Sequence, residues 1–216
     1  MLKKIIPVLS IVLFVHITIA NSSLKDSIFE GIIVYQKASL SDTVIMNVFI
    51  KEDRVRVDEY DLEGKLLKGR IMDFKSERMI ILQPDRKIYT TKAVLPGNKL
   101  YASEVAIEKT QNHKTVNNME VYQWIVKNKK RNSVVSYWVA DMNYNYFGHL
   151  FRYLNCSDKI SEFYDLIPVT AGFIPLQAVE HSLVRDTRMS FNAVKVFRTG
   201  VNSNQFVVPS DYSLFE

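Results

Sequence analysis

Three histidines lie beyond the first twenty residues, His113, His149 and His181. No two of them stand at an HExxH, His-x-His or His-x-x-x-His spacing, so the residue types that most often hold a metal are present without the pattern that would gather them. Metal binding is not expected. The single cysteine, Cys156, falls on an amphipathic stretch that should be packed, and a buried free thiol is its ordinary fate. No Gly-x-Ser-x-Gly elbow occurs, and seven glycines in the whole chain leave no Gly-rich phosphate loop. The acids Asp53, Asp58, Asp61 and Glu63 crowd one region, but at strand ends and turns, where solvation explains a carboxylate. An acid–base pair assembled across distant strands is the one catalytic arrangement left, and a hydrolase ranks last of three readings. The knot Asp85-Arg86-Lys87 follows Pro84 between two apolar runs, which makes it a hairpin tip.

The elements that would position these residues are mostly strands. From Phe29 onward, short Val/Ile/Tyr/Phe-rich runs are broken by Asp, Glu, Gly, Asn or Pro every eight to twelve residues or so, the mark of an antiparallel sheet. Strands are predicted at Phe29–Lys37, Val44–Lys51, Arg54–Tyr60, Leu67–Phe74, Glu77–Gln83, Arg86–Lys92, Ser103–Thr110, Met119–Asn128, Asn132–Ala140, Leu176–Arg185 and Met189–Gly200. Between Asn143 and Ile167 the period changes. Tyr146, Phe147, Leu150, Phe151 and Leu154 share one helical face, and Ile160, Phe163, Tyr164 and Ile167 continue it after the capping residues Ser157 and Asp158. Pro168 and Gly172 end the helical stretch. Several strands carry apolar residues on both faces, as in Val44-Ile45-Met46 with Val48-Phe49-Ile50. A sheet with one wet face alternates more cleanly, so a helix or an apolar cavity should lie against the second face.

Lys3 and Lys4 precede an apolar or neutral run from Ile5 to Ile19 that closes on Thr18-Ile19-Ala20, which fits a secretory signal cleaved near Ala20. The run is shorter than the roughly 20 residues of a membrane span, leaving an uncleaved anchor as the lesser alternative. Residues 21–216 then form one exported domain. Loss of Lys3 and Lys4 lowers the formal charge from +5 to +3, too mild for a nucleic-acid partner.

In order along the chain, several segments resemble the LolA/LolB-like lipoprotein-carrier superfamily and its uncharacterised secreted bacterial relatives. They are Phe29-Glu30-Gly31, Arg54-Val55-Arg56-Val57-Asp58, Ile71-Met72-Asp73-Phe74, Ile81-Leu82-Gln83-Pro84 with Lys87-Ile88-Tyr89, Met119 to Trp124, Val135 to Asp141, Gly172 to Leu176, and Phe206 to Tyr212. Phe74 stands where the carriers have glycine, and valines rather than aromatics flank Arg56. The resemblance implies a mainly β fold with a helical lid, a curved antiparallel half-barrel of about eleven strands around an apolar cavity. It also implies a place in the periplasm or envelope of a bacterium, and that Arg56 holds the lid, where the residues alone offer a surface ion pair with Asp58 or with the neighbours of Glu59.

The reading is an exported, non-catalytic protein without a cofactor that binds a lipid or acyl chain in the half-barrel's concavity, with an envelope protein as a possible further partner. Tyr122, Trp124, Tyr137, Trp138, Tyr146, Phe147, Leu150 and Phe151 are its candidate ligand-binding residues. The competing reading is a secreted protein-interaction module whose barrel is fully packed. Connected apolar space of a few hundred cubic ångströms separates the two.

Overall fold

The computed structural model describes residues 27–93, 105–154 and 158–215. The leader, Cys156, Ser157 and the first residues of the seventh predicted strand lie outside the described residues. The strands are β1 (Gly31–Ser39), β2 (Thr43–Lys51), β3 (Arg54–Tyr60), β4 (Leu66–Asp73), β5 (Arg78–Gln83), β6 (Ile88–Ala93), β7 (Ala106–Val116), β8 (Met119–Asn128), β9 (Ser133–Asp141), β10 (Phe173–His181), β11 (Thr187–Arg198) and β12 (Ser213–Leu214). Two helices, α1 (Phe147–Leu154) and α2 (Lys159–Tyr164), interrupt them between β9 and β10.

All twelve strands join one open sheet in the order β12-β6-β5-β4-β3-β2-β1-β11-β10-β9-β8-β7. Each neighbouring pair is antiparallel except β12, which joins β6 in parallel. The chain therefore lays down two meanders, β1 to β6 and β7 to β11, and the seam between them is β1 against β11. That seam requires close backbone approach, since a Cβ on Gly31 would stand 2.0 Å from the Phe197 carbonyl oxygen.

One face of the curved sheet carries the main core. Ile33, Tyr35, Met46, Val48, Ile50, Val55, Val57, Trp124, Val126, Val135, Tyr137 and Ala178 are buried there at the alternate positions a pleated strand presents to one side. Both helices sit on this face. Phe147, Leu150, Phe151 and Leu154 of α1 are buried at i, i+3, i+4 and i+7. Asp158 caps α2 by accepting from the Ser161 amide at 2.8 Å, and Ile160, Phe163 and Tyr164 turn inward.

The opposite face of β3 to β6 is not bare. The C-terminal segment crosses it and forms a second small core of Ile71, Leu82, Val201 and Phe206, with Ile32, Phe49, Ile80, Tyr89, Val208 and Tyr212 packed around it. This strap, rather than a helix or a cavity, accounts for the second apolar face at Phe49. Two elements exceed the expectation from sequence: β7 runs on to Val116 through a register shift after Lys109, and β12 pairs with β6. The Asp85 knot is a tip as expected, a 3-10 turn at Pro84–Arg86 followed by Lys87 at φ 51°. No helix among the described residues is long and apolar enough to cross a membrane.

Candidate functional site

The aromatics expected to line a ligand cavity are largely packed against one another. Phe147 is 1 % exposed and meets Tyr35, Phe151 and Tyr164 at ring separations of 6.4, 5.1 and 6.2 Å. Tyr137 and Tyr164 are buried 5.4 Å apart, and their hydroxyls donate to the Ile160 and Phe173 carbonyls at 2.7 and 3.0 Å. Burial pushes both phenols up, so they remain neutral donors. Trp124 faces Tyr164 at 6.5 Å and lies under the Lys109 ammonium at 4.1 Å, which also donates to the Pro168 and Val169 carbonyls. The space beneath the helices, bounded by Met46, Phe151, Leu154, Ile160, Met189 and Phe191, admits only about 10 Å³. An acyl chain has no room there while α1 and α2 stay in place.

Two other candidates lie elsewhere. Trp138 points away from Tyr137 along β9 and is capped by Lys114 at 4.1 Å. Tyr122 sits near the β7 edge, its hydroxyl donating to Glu120 at 2.6 Å.

Arg56 pairs with Asp58, the ordinary reading of its place on the strand. Val55 and Val57 face the helices, so Arg56 faces the strap. It donates to both Asp58 carboxylate oxygens at 2.9 Å and to the Gln205 carbonyl at 3.1 Å. It holds the C-terminal segment rather than the helices. Asp58 is 4 % exposed, and burial pushes its carboxyl up against the opposing hydrogen bond and charge of Arg56. The (i, i+2) spacing places Arg and Asp on one strand face, which is the reason for the pairing.

The roomy site is at the end of the half-barrel where α1 begins. A cavity of about 580 Å³ is lined by Ile28, Phe29, Glu30, Glu52, Asp53, Lys75, Asn143, Tyr144, Asn145 and Tyr146. Four segments build it: the entry to β1, the β2–β3 turn, the β4–β5 turn, and the link from β9 to α1. The two turns are tied where the Phe74 amide donates to the Asp53 carbonyl at 3.0 Å. The link is fixed where the Met142 and Tyr144 amides both donate to the Gly172 carbonyl, at 2.9 and 3.3 Å. Gly172 itself adopts φ +88°, which a side chain would strain.

Within this cavity Tyr146 stacks on Phe74 at 5.4 Å and meets Tyr144 edge-on at 5.9 Å. Tyr144 is 1 % exposed, and its buried hydroxyl has no hydrogen-bond partner among the described residues. Burial is the main cause of its strongly raised pKa, with Tyr146 and Asp53 adding to it. Glu30 is partly neutralised by Lys51 at 3.7 Å and by the Val201 amide at 2.7 Å. Of the expected ligand residues only Tyr146 lines this space. Phe29, Glu30, Glu52, Lys75 and Tyr144 were not foreseen, and the crowding of acids around Asp53 was the only signal in the sequence. Among the described residues no three His, Cys, Asp or Glu side chains are gathered closely enough to hold a metal ion.

No family model and no curated protein matches the sequence. Solved structures do match. An uncharacterized conserved protein from Thermus thermophilus aligns with TM-score 0.54 at 9 % identity, over 87 % of this chain and 90 % of that one. A chain of the Pseudomonas aeruginosa MucA/MucB complex aligns with TM-score 0.49 at 11 % identity, over 87 % of this chain and 58 % of that longer one. A domain from Vibrio parahaemolyticus described as outer membrane lipoprotein-sorting aligns with TM-score 0.30 at 8 % identity, over 82 % of this chain and 87 % of that one. At 9 % identity the likeness to the Thermus thermophilus protein is one of fold. The open half-barrel with helices on its concave face, which the resemblance to the LolA/LolB-like superfamily implies, is the architecture observed.

Proposed function

We propose that this chain is an exported, non-catalytic binding module that holds an apolar ligand at the α1 end of the half-barrel. One observation carries this reading: the cavity of about 580 Å³ at Phe29, Tyr144 and Tyr146, within the size range of small-molecule sites. The ligand site moves accordingly from the middle of the concavity, which the helices fill, to its open end. The apolar run from Ile5 to Ile19, preceded by Lys3 and Lys4, supports export. Binding would draw on apolar burial, with about 0.8 kcal/mol per CH₂ as an upper scale.

The test is titration of the protein lacking residues 1–20 with the neutral fluorophore N-phenylnaphthylamine, beside an Asn145→Trp variant. Asn145 is exposed on the cavity wall, so the indole should fill the space without disturbing the core. Saturable binding that Asn145→Trp weakens about tenfold or more is the expected result. Absence of binding, or equal binding by the variant, refutes the reading.

A second reading draws on β7. This eleven-residue strand ends the sheet, and among the described residues no strand covers its outer edge. Its free backbone groups suit addition of a partner's strand, which is how a packed module would act.

A further inference from the structure

The cavity beside α1 has a sign as well as a size. Three carboxylates, Glu30, Glu52 and Asp53, line it against the single ammonium of Lys75. Lys51 compensates Glu30, which leaves Glu52 and Asp53 on the β2–β3 turn as the charge without an ion pair among the described residues. The N-terminus of α1 works the other way, contributing roughly half a positive charge. It does not reverse the balance, because two full charges outweigh one ammonium with a screened half charge. Beneath the turn lies the Tyr144 hydroxyl, buried without a partner among the described residues, with Asp53 close enough to raise its pKa further.

An acyl carboxylate would meet this rim as a like charge. An ammonium would find two carboxylates and the negative face of the half-buried Tyr146. A divalent metal is a poorer occupant, since no three acidic or imidazole groups converge among the described residues.

We propose that the cavity selects an apolar ligand bearing an alkylammonium group, with the chain along Ile28 and Tyr146 and the ammonium between Glu52 and Asp53. The assignment rests on the reading of this cavity as the ligand site. Its chemistry is shared by a free long-chain amine and by the ammonium end of an amino-lipid.

Three probes of matched chain length separate the contributions: decylammonium, decanol and decanoate, each titrated at neutral pH by displacement of N-phenylnaphthylamine. Decylammonium should bind about tenfold more tightly than decanol, and decanoate more weakly than either, as expected for water-exposed charges a few ångströms apart. Raising the salt should shrink the decylammonium advantage. The Glu52→Gln, Asp53→Asn double variant should lose the advantage and keep its decanol affinity, which serves as its own folding control. Each single variant should lose part of it. Equal binding of the three probes, a preference indifferent to salt, or a preference that survives both substitutions overturns the cation assignment while leaving apolar binding in place. If none of the three binds, both readings fall together. A dodecyl phosphoethanolamine probe that binds like decylammonium assigns the amino-lipid source, and one that does not assigns the free amine.

Discussion

Truncating Phe147 to alanine tests whether α1 is part of the sheet's core or a cover held loosely over it. The ring is 1 % exposed and touches Tyr35 of β1, Phe151 of the next helical turn and Tyr164 of α2, so its loss opens a hole where three elements meet. Buried Phe→Ala changes cost about 3–5 kcal/mol, the spread reflecting how far the surroundings collapse. The rings around this site are themselves interlocked, Phe151 against Phe191 at 5.8 Å and Tyr35 against Phe191 at 4.1 Å, which limits collapse. Alanine returns about 0.5 kcal/mol through better helix propensity. A net loss of about 3 kcal/mol follows, and with a urea slope of about 2 kcal/mol/M it lowers the unfolding midpoint by about 1.5 M. Equilibrium urea melts followed by tryptophan fluorescence and by far-ultraviolet circular dichroism should shift together. A midpoint within about 0.3 M of the parent, with hydrogen-exchange protection lost in α1 alone, would refute the argument and show that the helix comes away separately.

Replacing Arg56 with alanine strands the buried Asp58 carboxylate and should destabilise the fold by about 2–3 kcal/mol. It should also raise proteolytic cleavage in residues 199–215 while leaving α1 protected, as mass mapping of the fragments will show. The pKa of His149 is lowered, chiefly by burial and then by Arg152, with Asp165 and Glu77 opposing. The unfolded chain therefore binds the proton more readily, and stability falls as pH drops from about 6.5 toward the lower folded value, by less than about 1.4 kcal/mol per pH unit. His149→Gln should flatten urea midpoints measured across that window, and an unchanged slope speaks against the assignment. Alanine at Asp85, Arg86 and Lys87 together removes two exposed ion pairs, Lys65–Asp85 at 3.1 Å and Lys87–Asp211 at 3.0 Å, and should shift stability by no more than about 1 kcal/mol.

The strands were readable because a half-buried strand writes its pleat into the sequence. Arg54–Tyr60 and Met119–Asn128 have the bounds expected of them. The far end of β7 was not readable, because Gln111 to Thr115 are polar edge residues that bury nothing and pass through a register shift. The strap was hidden for another reason. Val201, Phe206, Val208 and Tyr212 follow neither a helical nor a strand period, and their partners Ile71 and Leu82 lie more than a hundred residues away. The helices were legible from Phe147, Leu150, Phe151 and Leu154, but whether those rings meet a ligand or one another depends on the depth of the concavity, a property of the whole sheet. The end cavity draws on four separate segments, so local spacing carried no sign of it beyond the acids near Asp53.

The seam at β1 and β11 also orders events in time. Within each meander the pairings are between chain neighbours, and such hairpins close in microseconds. The seam instead joins Gly31 to Arg198 and Ser39 to Met189, across about 160 residues, at a closure entropy of about 4.5 kcal/mol. The two half-sheets are therefore the natural early structures, and β1 meeting β11 sets the rate at which they become one sheet. Until then each half exposes its central strand as a raw edge, Ile33 and Tyr35 on one side and Phe191 and Ala193 on the other, and it is this interval that governs how readily the newly made chain aggregates.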